Sequence, residues 1–199
     1  MNNSTLQRTI THLCVFCGSS AGMDPAYVES ARLLAREMER RSINLIYGGG
    51  GAGIMGELSA TLRGATVSVT GIIPTRLYEM VKHLDHSEDE LVVVETMHER
   101  KAAMYDRSDA FVALPGGIGT LEELMEALTW LQLGYHAKPV GILNVRGFFD
   151  QLMSLLSRMV DDGFLRQVIL DSLVVEEDPG KLLDRIAEVE ISLPQKIVR

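Results

Sequence analysis

The sequence predicts an α/β protein, a doubly wound parallel sheet with helices on both faces. Three observations predict it. Apolar runs of strand length alternate with amphipathic helical segments along the chain. The runs Leu45-Ile46-Tyr47 and Phe111-Val112-Ala113-Leu114 are apolar at every position, as strands buried on both faces require. Two glycine-rich turns, Gly48–Gly56 and Pro115–Thr120, each lead from such a run into a helical pattern.

The first strand falls near Leu13–Phe16, inside the apolar run His12–Cys17. Cys14 and Cys17 have the spacing of a redox or metal pair, but residues three apart on a strand face opposite sides. No second ligand pair is spaced to complete a zinc site. An amphipathic helix follows at Pro25–Arg41, then a strand at Asn44–Tyr47. Ser19 and Ser20, in the turn after the first strand, can offer hydroxyls to a phosphate or ribose, or serve only as turn residues.

The turn Gly48–Gly56 contains G-x-G-x-x-G at Gly51, Gly53 and Gly56, ahead of a helix at Ile54–Arg63. A dinucleotide site also needs an acid about 20 residues on, at the end of the next strand. That strand, Val67–Ile73, ends Ile72-Ile73-Pro74-Thr75-Arg76 with no acid, and no Gly-Lys-Ser/Thr marks a Walker loop. The turn is therefore read as the wall of a ligand pocket, with Gly50 a binding candidate; a tight packing turn is the alternative. His83 to Glu90, polar and acidic, is read as a loop before the strand Leu91–Val94.

Thr96 and Glu99 form a capping box that opens a helix at Met97–Arg107. Arg100 and Lys101 sit in its first turns, where the helix dipole disfavours cations. A bound anion would account for them, and a solvated surface pair is the alternative. The strand Ala110–Leu114 then meets Pro115-Gly116-Gly117-Ile118-Gly119-Thr120, whose glycines allow a ligand to approach the backbone at the start of the helix Leu121–Leu133. Thr120 and Glu123 fit a second capping box, a purely structural role for Glu123. The crowding of Glu122, Glu123 and Glu126 at an anion-binding helix start favours the other reading. There a carboxylate addresses ribose hydroxyls or an attacking water. The remaining strands fall at Pro139–Leu143 and Leu173–Val175, and the remaining helices at Phe148–Asp161 and Pro179–Ile186.

The 199 residues suffice for one domain, 1–199, with no linker or repeat. A net charge of −8 argues against nucleic acid as a partner. No apolar run is long enough to cross a membrane, and Met1 to Thr11 lacks the layout of a signal peptide. A reducing cytoplasm is the expected location. His12, His83, His86, His98 and His136 are scattered, so no metal and no cofactor are expected.

Pro115–Glu123 matches P-G-G-x-G-T-x-x-E, and Met97–Lys101 matches M-H-x-R-K. With Val15–Ser20 and Tyr47–Gly56, these residues resemble the LONELY GUY (LOG) family, from about Cys14 to about Asp162. Its members are cytokinin riboside 5′-monophosphate phosphoribohydrolases, often under the older label "possible lysine decarboxylase". The resemblance implies a Rossmann-like fold and a homodimer. It also implies hydrolysis of the N-glycosidic bond of a purine nucleoside 5′-monophosphate, AMP or an N6-substituted relative. It carries Arg100 and Glu123 over as the catalytic pair. Lys101, Gly117, Ile118, Gly119 and Thr120 carry over as nucleotide binders, with Thr129 a further candidate; Gly116, Ser19, Ser20 and Gly50, in the turns after the strands, are expected to bind beside them. The segment Leu77–Leu91 departs from the family pattern, with an extra residue near Lys82-His83 and an acidic Asp85–Asp89. Thr61–Thr66 is shorter than the usual connection. Both departures bear on base selectivity, and Glu79 is not assigned as a ligand.

Two other readings compete: a nucleotide-binding or carrier module without turnover, and a PLP-dependent decarboxylase, for which no lysine has a supporting context. Assembly is read from the helix Leu121–Leu133 and its exit. Leu124, Leu128, Leu131 and Tyr135 form one stripe, and Met125, Trp130 and Leu133 extend beyond it. The surplus suits a second subunit, and burial within one domain is the alternative.

Overall fold

The computed structural model describes residues 8–83 and 87–191. Its centre is one seven-stranded sheet: β1 (His12–Phe16), β2 (Asn44–Tyr47), β3 (Val69–Pro74), β4 (Glu90–Val94), β5 (Ala110–Ala113), β6 (Val140–Leu143) and β7 (Leu173–Glu176). The strand order is β4-β3-β2-β1-β5-β6-β7, and every adjacent pair is parallel. All the strands read from the sequence are present, because each is a short apolar run between turn residues. The third begins two residues later than expected, at Val69, and runs on into Pro74.

Helices α1 (Pro25–Arg40), α2 (Gly53–Thr61), α3 (Thr75–Val81) and α4 (Met97–Asp106) alternate with the first strands. Helices α5 (Ile118–Leu133), α6 (Asp150–Asp161), α7 (Gln167–Asp171) and α8 (Pro179–Glu188) follow β5 to β7. The sequence reading lacked α3 and α7. Both are short; α3 buries none of its residues and α7 buries only Ile169, so neither carries a readable apolar stripe.

Two apolar layers form the core, one on each face of the sheet. Leu13, Val15 and Cys17 point into the layer under α1, α2 and α8. Cys14 and Phe16 point into the layer under α4, α5 and α6. The two cysteines therefore lie on opposite faces as buried free thiols, as strand alternation requires. Among the described residues, no helix is long and apolar enough to cross a membrane. Of the acidic stretch His83–Glu90, Asp85 and His86 lie outside the described residues.

Candidate active site

From β1 the chain builds β2, β3 and β4 to one side; β5, β6 and β7 continue on the other. The crevice between the carboxyl ends of β1 and β5 is thus the switch point at which open α/β sheets bind ligands. The turn after β1 is tied to the turn after β5 by Gly18 N–H donating to Pro115 O at 3.2 Å. The turn after β2 closes the third side. Gly53 has φ +61°, and a Cβ there would fall on the backbone of Ser19. The middle glycine of the apparent dinucleotide fingerprint thus lets one turn pack on another. This leaves Gly48 and Gly50 as cavity wall, as the pocket reading expected.

Helix α5 begins at Ile118, with Gly117 as its N-cap and no side-chain cap. This corrects the expected start at Leu121 and the capping box of Thr120 with Glu123. Gly116 and Gly117 make the turn themselves, so the helix starts three residues earlier. Thr120 then lies buried inside the first turn, its side chain against the space a Cβ on Gly116 would need. The first intrahelical bond is Leu121 N–H to Gly117 O at 3.2 Å. The N–H groups of Ile118, Gly119 and Thr120 precede it and stay open at the positive end of the helix dipole.

Relieved of capping, Glu123 faces α4. Thr96 and Glu99 do form the expected capping box that starts α4. Arg100, one turn on, donates from Nη1 to Glu123 Oε1 at 2.6 Å and from Nε to Ile72 O at 3.0 Å. Each of the paired side chains is 11% exposed. The guanidinium crosses directly over Gly48, where a Cβ would collide with Nη2. Burial pushes the Glu123 carboxyl above the usual glutamate range, and Arg100 partly pulls it back.

A cavity of about 380 Å³ opens onto this pair. Its polar end holds Ser19, Gly117, Gly119, Thr120, Arg100 and Glu123. Its lining also includes the apolar Met55, Ile73, Leu77 and Met97, with Met97 Sδ 3.6 Å from Arg100 Nη1. A second cavity of about 300 Å³ lies across the Gly18-Ser19 turn and reaches Ser20, Gly116, Tyr27 and Phe148. The structure thus brings together Ser19, Ser20, Gly50, Gly116, Gly117, Gly119, Thr120, Arg100 and Glu123. Ile118 stands at the helix start with its side chain 82% exposed and contributes only its backbone there.

Besides Ile118, two of the expected binders, Lys101 and Thr129, line neither cavity. Lys101 is one residue past Arg100, about 100° around the helix. Its ammonium lies 2.6 Å from Glu122 Oε1 and 2.9 Å from Glu126 Oε1. Thr129 lies 12 residues past Gly117, roughly 18 Å along α5. Its hydroxyl donates to Met125 O, and it lines a separate groove beside Met159 and Phe164. Burial would lower the Lys101 pKa, but its hydrogen bonds to Glu122 and Glu126 outweigh that and raise it. A raised pKa is the reverse of what a Schiff-base lysine needs.

The sequence reading included Gly48 in the pocket-wall turn and Gly18 in the turn after the first strand without singling either out, and it missed the apolar wall. The two glycines follow strands directly, which was a usable signal. Met55, Ile73, Leu77 and Met97 had none, because an apolar side chain in an amphipathic element reads as core until the fold shows a space beside it.

Known proteins agree with this architecture. Residues 55–186 match the family model described as "Possible lysine decarboxylase". A cytokinin riboside 5′-monophosphate phosphoribohydrolase of Arabidopsis thaliana is 44% identical over 188 residues, covering 92% of this chain and 86% of the relative. A second from the same plant is 44% identical over 176 residues, covering 88% and 82%. A molybdenum cofactor binding protein from Rippkaea orientalis has the same fold, with TM-score 0.66, 21% identity, and coverage of 89% and 96%. Family model, relatives and motif geometry converge: the chain belongs to the LONELY GUY (LOG) family of cytokinin riboside 5′-monophosphate phosphoribohydrolases.

Proposed function

We propose that this protein hydrolyses the N-glycosidic bond of purine nucleoside 5′-monophosphates, AMP and its N6-substituted relatives, releasing the base and ribose 5-phosphate. The observation that carries the reading is the buried Arg100–Glu123 pair facing a cavity that also contains the open start of α5. The 5′-phosphate takes the N–H groups of Ile118, Gly119 and Thr120. The ribose then lies before Glu123, and the base lies toward Met55, Ile73, Leu77 and Met97. As the C1′–N bond breaks, positive charge develops on the ribose, and a carboxylate held close stabilises it. Water adds to C1′, and its proton leaves with the base. Glu123 is the catalytic carboxylate. Arg100 keeps it ionised and oriented.

The test is incubation of the purified protein with AMP, followed by chromatography. Adenine and ribose 5-phosphate are expected in equal amounts; the absence of both defeats the reading. A carrier module would use the same phosphate site without needing the ion pair. The Glu123→Gln variant separates the two, since a carrier keeps its function and the hydrolase keeps affinity but loses turnover.

A homodimer in the cytoplasm completes the proposal. Leu133 and Tyr135, at the end of α5, are 62% and 76% exposed, and Phe164 is 78% exposed, which supports an apolar surface for a second subunit. The stripe Leu124, Leu128 and Leu131 does not contribute to it, because these side chains are buried against the sheet within one subunit. The buried free thiols of Cys14 and Cys17 fit a reducing compartment.

A further inference from the structure

We infer that Lys101 is a positioning residue: it ties α4 to α5 so that Arg100 meets Glu123, and it does not touch the nucleotide. The inference rests on the hydrolase reading above. Adjacent residues of α4, Arg100 and Lys101, meet adjacent residues of α5, Glu123 and Glu122, with Glu126 one turn further on. The two helices are thereby joined by a ladder of charge-assisted hydrogen bonds at 2.6 Å, 2.6 Å and 2.9 Å.

Lys101 is only 9% exposed, so its ammonium depends on these carboxylates for solvation. The dependence is mutual. Glu126 Oε2 is buried without a hydrogen-bond partner among the described residues, and Lys101 holds the other oxygen. An ammonium has three donors, and two of them are already directed at Glu122 and Glu126. To reach a phosphate at the start of α5, Lys101 would have to leave Glu126, whose side chain is only 20% exposed, without its cation. Its removal has the opposite consequence to loss of a ligand. Glu122, Glu123 and Glu126 then repel one another within one stretch of α5, the contact between the helices loosens, and Arg100 moves off Glu123. A displacement of about 1 Å at such a pair can cost about 10²-fold in rate.

The experiment compares wild type with Lys101→Met and Lys101→Arg. It uses steady-state AMP hydrolysis and calorimetry with ribose 5-phosphate. For Lys101→Met, kcat is expected to fall ~10- to 100-fold, while KM and the ribose 5-phosphate Kd stay within ~2-fold. Lys101→Arg restores most of kcat, because it keeps the charge between the carboxylates. In a Glu123→Gln background, Lys101→Met gives no further fall, since the residue acts through that pair. A rise of ~10-fold or more in KM and Kd with kcat retained would make Lys101 a phosphate ligand and overturn the inference. Unchanged kinetics would overturn it as well. If Lys101→Met fails to fold, Glu126→Gln takes its place: kcat falls with KM unchanged, and an unchanged kcat is the contrary result. If wild type binds ribose 5-phosphate without hydrolysing AMP, the hydrolase reading has failed. The Kd comparison still decides whether Lys101 touches the phosphate.

Discussion

Arg100 Nη1 lies 2.6 Å from Glu123 Oε1, although the residues are 23 positions apart on different helices. Each has a strong local reason to be elsewhere. Arg100 stands near the N-terminus of α4, where the dipole repels a cation, and Glu123 is buried, where a lone carboxylate would protonate. The ion pair offsets both costs and leaves a charged group at the edge of a cavity.

Replacing Glu123 with Gln keeps the shape and removes the charge. Turnover of AMP is expected to fall ~10²-fold or more, with the affinity for ribose 5-phosphate nearly kept. Parallel kinetics and calorimetry check this; equal losses in both would assign Glu123 to binding alone.

The pH dependence follows from the burial of Glu123. Its pKa in the folded protein lies above the ordinary 4.5. The ionised form is therefore lost on acidification at a higher pH than for an exposed glutamate, and the acid limb of kcat/KM should lie above 4.5. The stability sign is the reverse: the shift favours folding below the unfolded value, and that gain vanishes as pH rises through the folded pKa. Arg100 is the largest influence opposing the rise. Arg100→Gln should move the residual acid limb to still higher pH, and a limb that stays in place would disconnect the two residues.

Gly48→Ala places a methyl group where Arg100 Nη2 now lies. The guanidinium must shift, and turnover should drop ~10²-fold. Circular dichroism and Tm close to wild type would show that the loss is local. Full activity would mean that the crossing over Gly48 has no part in holding the pair.

Thr96→Ala removes the N-cap acceptor of α4, which takes Glu99 N–H at 3.1 Å. A cost of ~1 kcal/mol is expected. For a chain of this size that corresponds to a Tm about 2–4 °C lower, readable by calorimetry.

Assembly is best probed at exposed positions. Leu133→Glu should yield a soluble monomer by light scattering if the end of α5 meets a second subunit. A wild-type protein of monomeric mass at micromolar concentration would exclude the dimer. Leu131→Glu is uninformative by comparison, because Leu131 is fully buried within one subunit and the charge would disrupt the core.

The parallel sheet and its order of elements were legible in the sequence because strand burial and helix amphipathicity are local, periodic signals. Phe111–Leu114 reads as a doubly buried strand from its residues alone, and Pro115–Thr120 reads as a turn that opens a helix start to an anion. The motifs around Arg100 and Glu123 also pointed to the two residues on which the proposed function rests. The partner of each charge was not local information. From sequence, Thr120 and Glu123 fit a cap as well as a site, and Arg100 and Lys101 look equivalent. Tertiary structure separated them: beginning α5 at Ile118 freed Glu123, and one residue of helical rotation sent Arg100 to the cavity and Lys101 to Glu122 and Glu126. The apolar wall of Met55, Ile73, Leu77 and Met97 was decided in the same way, because a cavity exists only between elements that the fold has already placed.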